Sequence, residues 1–426
     1  MIDAASIGQS PAARRLPSAR VIYATLLLAL INVFNFTDRV VFGVLIQPIK
    51  KELNLSDTQI GFLSGFAFVA VYAAVGLPLA RLADRVGRRW VLAGCIAAWS
   101  LLTALSGLAN SFSQLAAARL GVGVGEAGCL PASHALLAEL YPPNRRLLPI
   151  AIVTTGATVG LALALGGGGF VASLWGWRAA FLSVGLPGVA LAILVLATLP
   201  TAAPRTSRPE SRAPLWTSLR GLLRIRTYRC SLYAYPFYLF ASAGLVGWLP
   251  AFFMRSHHMP IKQAGLFFGL AYGLGAGFGC LVGGYALQRV SQLRPARSLY
   301  LAGWLALLAL PFYLGAILIT ATPLSLVMIM LYGAIIGSAG SPMIAAQQGV
   351  IDNADRATAS AFSMLIGNYL GGGLGPLLIG IASETFTAAL GVDALRGALL
   401  LSSMALPATG ILFIRTSRHF AADAKA

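Results

Sequence analysis

Acidic side chains are scarce in this chain: only 13 Asp and Glu occur in 426 residues, and charged residues make up 10% of the total. A soluble protein of that length needs far more charge to cover its surface, so a water-soluble globule is excluded. Cysteine and histidine are scarcer still, with four of each. Cys95, Cys129, Cys230 and Cys280 fall inside or at the edge of apolar runs, without metal-ligand spacing. That placement argues against disulfides and metal centres and for small packing residues. There is no Walker sequence, no paired nucleophile and base, and no metal-ligand cluster, so neither an enzyme nor a cofactor is expected. The run Gly166 to Gly169 follows no strand and reads as close helix packing, not as a phosphate loop.

Apolar length is what the chain has in abundance. Hydrophobic residues make up 58% of it, and the mean hydropathy is +0.78. The apolar runs are long and continuous, which predicts an all-α integral membrane protein and not a barrel of alternating strands. Twelve spans are expected, near 21–47, 60–80, 90–110, 112–140, 149–173, 178–199, 230–254, 263–287, 297–319, 323–347, 358–382 and 394–415; they are numbered 1 to 12 below. Each is long enough to cross a hydrocarbon core of about 30 Å. Residues 1–20 are polar and carry Arg14, Arg15 and Arg20, and the run that follows is too long for a signal-peptide core. No cleavable signal peptide is expected.

A net charge of +18 would suggest nucleic acid as the partner of a soluble protein. Here the charge is distributed by membrane face. Numbering the connections alternately puts 23 of the 31 bases on the face that holds both termini. Six lie on the opposite face (Lys50, Lys51, Arg178, Arg255, Lys262 and Arg396), and Arg39 and Arg119 lie in the membrane. Both termini are therefore expected in the cytoplasm, and nucleic acid is not expected as a partner. The longest polar segment, 200–229, divides six spans from six, and its amphipathic piece Trp216 to Arg226 is expected along the membrane surface. The expected organisation is a tail (1–20), a six-helix bundle (21–199), a linker (200–229), a second six-helix bundle (230–415) and a tail (416–426). The halves also echo each other: 142–169 and 353–380 each run from an arginine-bearing turn into a glycine-rich span. Duplicated halves around a midplane site describe a secondary transporter.

Four charges lie where an ion costs several kcal/mol: Asp38 and Arg39 in span 1, Arg119 and Glu126 in span 4. Arg119 and Glu126 are two helical turns apart and share a face, and the glycines between them admit close approach by a helix or a solute. Span 1 runs outward and places Asp38 roughly 13 Å from its outer end, while span 4 runs inward and places Arg119 roughly 10 Å from the same face. The two can lie level and pair, with Glu126 nearer the midplane. Arg39 points about 100° away from Asp38 on the helix, so its partner lies elsewhere. Burial favours the neutral form of a carboxylic acid and a nearby arginine favours the ionised form. A conformation that separates Asp38 or Glu126 from arginine would thus favour protonation and tie proton binding to a gate. His134 reads as a packed or interfacial histidine, with a proton relay as the alternative; His257 and His258 read as solvated in an external loop.

Several motifs carry a family resemblance. After span 2 the chain reads Ala80-Arg-Leu-Ala-Asp84-Arg85-Val-Gly87-Arg88-Arg89. This resembles the G-x-L-A-D-R-x-G-R-R motif of the major facilitator superfamily, with Ala80 in place of the first glycine. The resemblance implies that Asp84, with Arg85, Arg88 and Arg89, controls a cytoplasmic gate against the start of span 11. The positive dipole end of span 11, just after Arg356, would attract Asp84. The second half has only a degenerate copy, Gly284 to Arg289, without the acid, so the gate is expected to be asymmetric. Span 4 resembles the superfamily's R-x-x-x-G pattern, which is associated with proton coupling. Three pieces together, N-x-x-D-R at 35–39, G-x-G-E-A at 123–127 and R-A-T-A-S-A-F leading to a glycine-rich G-P at 356–376, resemble the spinster-like family of lysolipid and sphingosine-phosphate-type transporters.

The resulting expectation is a major facilitator fold of two pseudo-symmetric six-helix bundles in a bacterial inner membrane. It would act as a monomer among membrane lipids and move a small amphipathic, anionic solute with protons by alternating access. Asp38 and Glu126 would carry the proton, while Arg39 and Arg119 would hold the acids or the solute head. The second half offers aromatic and small residues to that cavity: Tyr233, Tyr235, Pro236, Trp248, Gly269, Gly273, Gly277, Asn368 and Tyr369. A drug–proton antiporter or organic-anion symporter of the same fold is the nearest alternative. A sensor would need a soluble domain that the linker cannot supply, and a scramblase would be indifferent to pH.

Overall fold

The structure is a computed structural model that describes residues 19–141, 147–199, 215–351 and 355–423, and every regular element among them is a helix. Eight stretches are long and apolar enough to cross a membrane, and two of them, Ile152–Thr198 and Thr358–Phe420, run for 47 and 63 residues. A helix rises about 1.5 Å per residue, so each of these two suffices for two crossings. The chain turns within them at Gly176 (φ 81°) and Gly391 (φ 54°), in the backbone region that glycine enters without penalty. The two remaining spans are interrupted. Span 2 runs over 57–86 through a π-helical turn at Phe62–Phe66, and span 4 runs over 112–140 through a break at Gly128. Twelve crossings result, close to the expected boundaries.

Span 1 continues past its apolar run to Leu53. Lys50 and Lys51 close it, since long basic stems can lie along a helix end while their heads reach water. The outer surface is apolar, with Leu281 76%, Trp175 67% and Leu274 63% exposed. Contiguous apolar surface of that kind suits a lipid environment.

Span 4 is held by backbone contact. A Cβ at Gly123 would stand 2.6 Å from the Phe68 carbonyl of span 2, and one at Gly125 would stand 2.7 Å from the Trp99 amide of span 3. The glycines between Arg119 and Glu126 therefore receive neighbouring helices, and the face bearing the two charges is left to span 1. Span 1 is registered from its other side by span 5: Asn32 Nδ2 donates to the Val153 carbonyl at 2.7 Å, and Thr37 Oγ1 donates to the Gly160 carbonyl at 3.2 Å.

Between the halves, span 2 meets span 11 and span 5 meets span 8. Phe66 and Tyr369 lie 5.7 Å apart, ring to ring, and a Cβ at Gly265 would stand 2.3 Å from the Leu165 carbonyl. Spans 2 and 11 also meet near the end at which span 2 begins, where a Cβ at Gly61 would stand 2.5 Å from the Pro376 carbonyl. The linker helix, Leu215–Arg224, turns part of its apolar face to the protein. Its Leu219 and Leu222 pack against Tyr228, Ile351 and Ala359 at the bases of spans 7, 10 and 11. Trp216, 75% exposed, faces away from that cluster.

Candidate transport site

Spans 1 and 4 cross with all four intramembrane charges between them. Arg119 Nη1 stands 3.6 Å from Asp38 Oδ1, and both side chains are 1% exposed. Arg39 donates twice to Glu126 Oε2, from Nη2 at 2.7 Å and from Nε at 3.3 Å. The partner of Arg39 is thus Glu126, two turns along span 4 from Arg119, which pairs with Asp38. The long arginine stem covers the offset between adjacent residues on span 1 and residues two turns apart on span 4. No Arg119–Glu126 tie forms within span 4, because each of these residues reaches across to span 1.

Two acids and two bases cancel, which makes so much charge tolerable in one buried place. The cancellation is incomplete in hydrogen-bonding terms. Asp38 Oδ1 and Glu126 Oε1 are buried and accept no hydrogen bond among the described residues. Each carboxylate therefore keeps one oxygen available to a proton.

Two features of the site went unforeseen. Thr103 of span 3 donates from Oγ1 to Asp38 Oδ2 at 2.5 Å. In sequence it looks like Ser100 and Ser106 on the same helix, and only packing distinguishes it. The second is an aromatic collar on Arg39: its guanidinium carbon lies 4.6 Å from the Phe68 ring centre, 5.3 Å from Phe36 and 5.4 Å from Tyr72. Phe36 stands one turn before Arg39 and Phe68 one turn before Tyr72, a helical spacing that could have pointed to it. Cation–π contact holds an arginine without consuming its hydrogen bonds.

The other candidates separate. Asp84 lies on the helix Ala67–Val86, but its side chain, like those of Arg356 and His134, lies outside the described residues. Arg85 is exposed. Arg89 donates to the Leu199 carbonyl at 3.2 Å and to that of Leu196, which ties span 3 to the end of span 6 in its own half. Trp248 is fully buried and donates to the Pro376 carbonyl at 3.0 Å, so it is a packing residue and does not line a cavity. Gly269 packs on Leu165, whereas Gly273 and Gly277 face open space. His257 is half-buried where a solvated side chain was expected. It packs against the Phe252 and Phe253 rings with Nδ1 3.0 Å from Thr322 Oγ1, while His258 is exposed. Burial, and then the charge of Arg396, lower the pKa of His257 from its ordinary value. All four cysteines are free.

Twelve helices in two six-helix bundles, with a buried quartet of two acids and two bases in the first of them, define a membrane transporter. The chain belongs to the Major Facilitator Superfamily, whose family model matches residues 28–376, and it is of the spinster-like type. It is 37% identical over 388 residues to an MFS-type efflux pump of Mycolicibacterium smegmatis, covering 90% of each chain. It is 29% identical to human protein spinster homolog 1 over 54% of this chain and 45% of that one. Among solved structures it is similar to a bacterial homologue of the human lysosomal transporter Spinster in an inward-facing, unoccupied conformation. That match has a TM-score of 0.88 at 27% identity and covers 95% of this chain and 98% of that one.

Proposed function

We propose that this transporter moves an amphipathic, anionic, lipid-like solute together with protons, by alternating access. One observation carries the reading. The Arg39 side chain is 33% exposed while Glu126, its partner, is at 0%. Arg39 can therefore be approached by a solute from one side while a buried acid holds it from the other. A proton on Glu126 removes that hold and changes the quartet from neutral to singly positive, and an anionic head group then takes the place of the carboxylate. The aromatic collar keeps the guanidinium in place during the exchange. Asp38 would accept its proton in the state that draws Arg119 away, with Thr103 holding its second oxygen. An acyl or other apolar tail would lie against the second half, which brings almost no charge into the membrane.

Under the positive-inside reading both termini are cytoplasmic, so the closed end is external and the conformation faces inward. The bundles 21–199 and 230–415 would then move about the site, with Asp84, Arg85, Arg88 and Arg89 forming the cytoplasmic gate. The setting is a bacterial inner membrane and the acting unit a monomer.

A thermal-shift screen of the purified protein at two pH values tests the solute class. Anionic lysolipids and sphingoid phosphates should raise the unfolding midpoint, and more so at the lower pH, while sugars leave it unchanged. Stabilisation by sugars alone would overturn the assignment. A second reading, a drug–proton antiporter, is favoured by the similarity to the mycobacterial efflux pump. Antiport makes proton and solute compete, so cationic drugs would then stabilise the protein better at the higher pH.

A further inference from the structure

Span 7 begins at Arg226, after a bend at Ile225 that ends the linker helix. Most of its circumference is spent on its own half. Ala234 is fully buried in a cluster with Leu299, Ala339 and Phe413 of spans 9, 10 and 12, and Tyr228 Oη donates to the Ala359 carbonyl of span 11 at 3.0 Å. One stripe is left over. Arg226, Arg229, Tyr233 and Phe237 fall within about 80° of one another on the helix, turned away from these contacts.

The stripe changes character along its length. At the outer end it is closed against the first half: Ala251 is 1% exposed, and Arg255 Nη2 donates to Asp57 Oδ1 at 2.7 Å. At the linker end it is open. Tyr233 is 59% and Phe237 43% exposed. Arg226 and Arg229 are exposed and make no ion pair among the described residues. A face sealed between the halves at one end and bare at the other is the wall of a cavity that opens on the linker side. Asp423, at the end of span 12, accepts from the Thr227 amide at 2.6 Å and is spent on the helix end. Arg220 and Arg224 of the linker helix are exposed as well, and segment 200–229 carries seven arginines against one acid. Positive charge therefore gathers at the mouth, where it raises the encounter rate of anions.

From Arg226 to Phe237 the stripe rises about 16 Å, close to half of a hydrocarbon core of about 30 Å. Cationic at the surface and aromatic further in, it matches the profile of an anionic amphiphile. Arg39 lies about 30 Å along span 1 from its first residue, Ala19. About 25 Å of depth thus separates it from Arg229, and one head group cannot touch both.

We infer that Arg226 and Arg229 form a second head-group site at the mouth of the cavity, separate from Arg39, which holds an anionic amphiphile with its chain along Tyr233 and Phe237. The inference rests on the reading of the solute as an anionic amphiphile and adds the place where it is held on the linker side. Cys230 is half-buried on the same turns and takes a bimane label once Cys95, Cys129 and Cys280 are replaced. Quenching is followed in detergent with acyl-brominated lysophosphatidylglycerol, and with the matching lysophosphatidylcholine at equal mole fraction. The anionic lipid should quench with saturation, at about tenfold lower concentration than the zwitterionic one, and added salt should narrow the gap. Arg226→Gln with Arg229→Gln should abolish the preference. Both side chains are exposed, so the fold does not depend on them, and a merely structural role would leave the preference in place. Equal quenching by the two lipids in the unsubstituted protein, or a preference that survives in the double variant, would overturn the site. An arginine-dependent preference in a protein that carries no lysolipid across liposomes would overturn the proposed substrate and leave the mouth site standing. Lysolipid flux without the preference would do the reverse.

Discussion

Glu126→Gln is expected to reduce uptake driven by a pH gradient to the level of empty liposomes, while exchange of labelled for unlabelled solute at equal pH persists. The amide keeps the size of the carboxyl and can still accept from Arg39, so the helices have no reason to separate. It loses the ability to alternate between charged and neutral. With a permanently neutral residue at 126, no opposing charge holds Arg39 in either conformation, solute binds whether or not protons are available, and the gradient has no purchase on the cycle. Asp38→Asn should also abolish gradient-driven flux, with the protein folded. Flux measured in proteoliposomes with and without an imposed gradient distinguishes the two activities. Wild-type accumulation in both variants would remove these acids from proton coupling.

Arg119→Leu is expected to be the most damaging change to stability. Arg119 and Asp38 are both 1% exposed, so removal of the base leaves a buried carboxylate with Thr103 as its one hydrogen-bond donor among the described residues. Breaking a buried pair from one side typically costs about 3–5 kcal/mol. A second change, Asp38→Asn, removes the stranded charge and should recover most of the loss. Tryptophan-fluorescence melting of the four proteins in detergent checks this: the unfolding midpoint should be lowest for Arg119→Leu and substantially restored in the double variant. Equal midpoints for the single and double variants would mean that Asp38 does not depend on Arg119.

The membrane architecture was legible because hydropathy and the distribution of arginine are properties of composition over long windows. Depth was legible too, since helix rise alone puts Asp38 and Arg119 at one level. Rotation was not. A residue's angle on its own helix is known from sequence, but which neighbour meets that angle depends on glycine contacts such as those of Gly123 and Gly125 with spans 2 and 3. The partner of Arg39 and the role of Thr103 were hidden for that reason. The linker helix shows the same limit, since an apolar face on paper does not say whether lipid or protein covers Leu219 and Leu222.

The central claim is that a proton on Glu126 releases Arg39 to an anionic solute. Proton exchange by the purified protein in weakly buffered detergent, followed with a pH indicator while an anionic lysolipid is added, tests it most directly. The account predicts uptake of about one proton per protein on saturation, since the acid freed from its arginine binds one, and no uptake in Glu126→Gln. Proton release on binding, or saturable binding with no proton change in the unsubstituted protein, would contradict it.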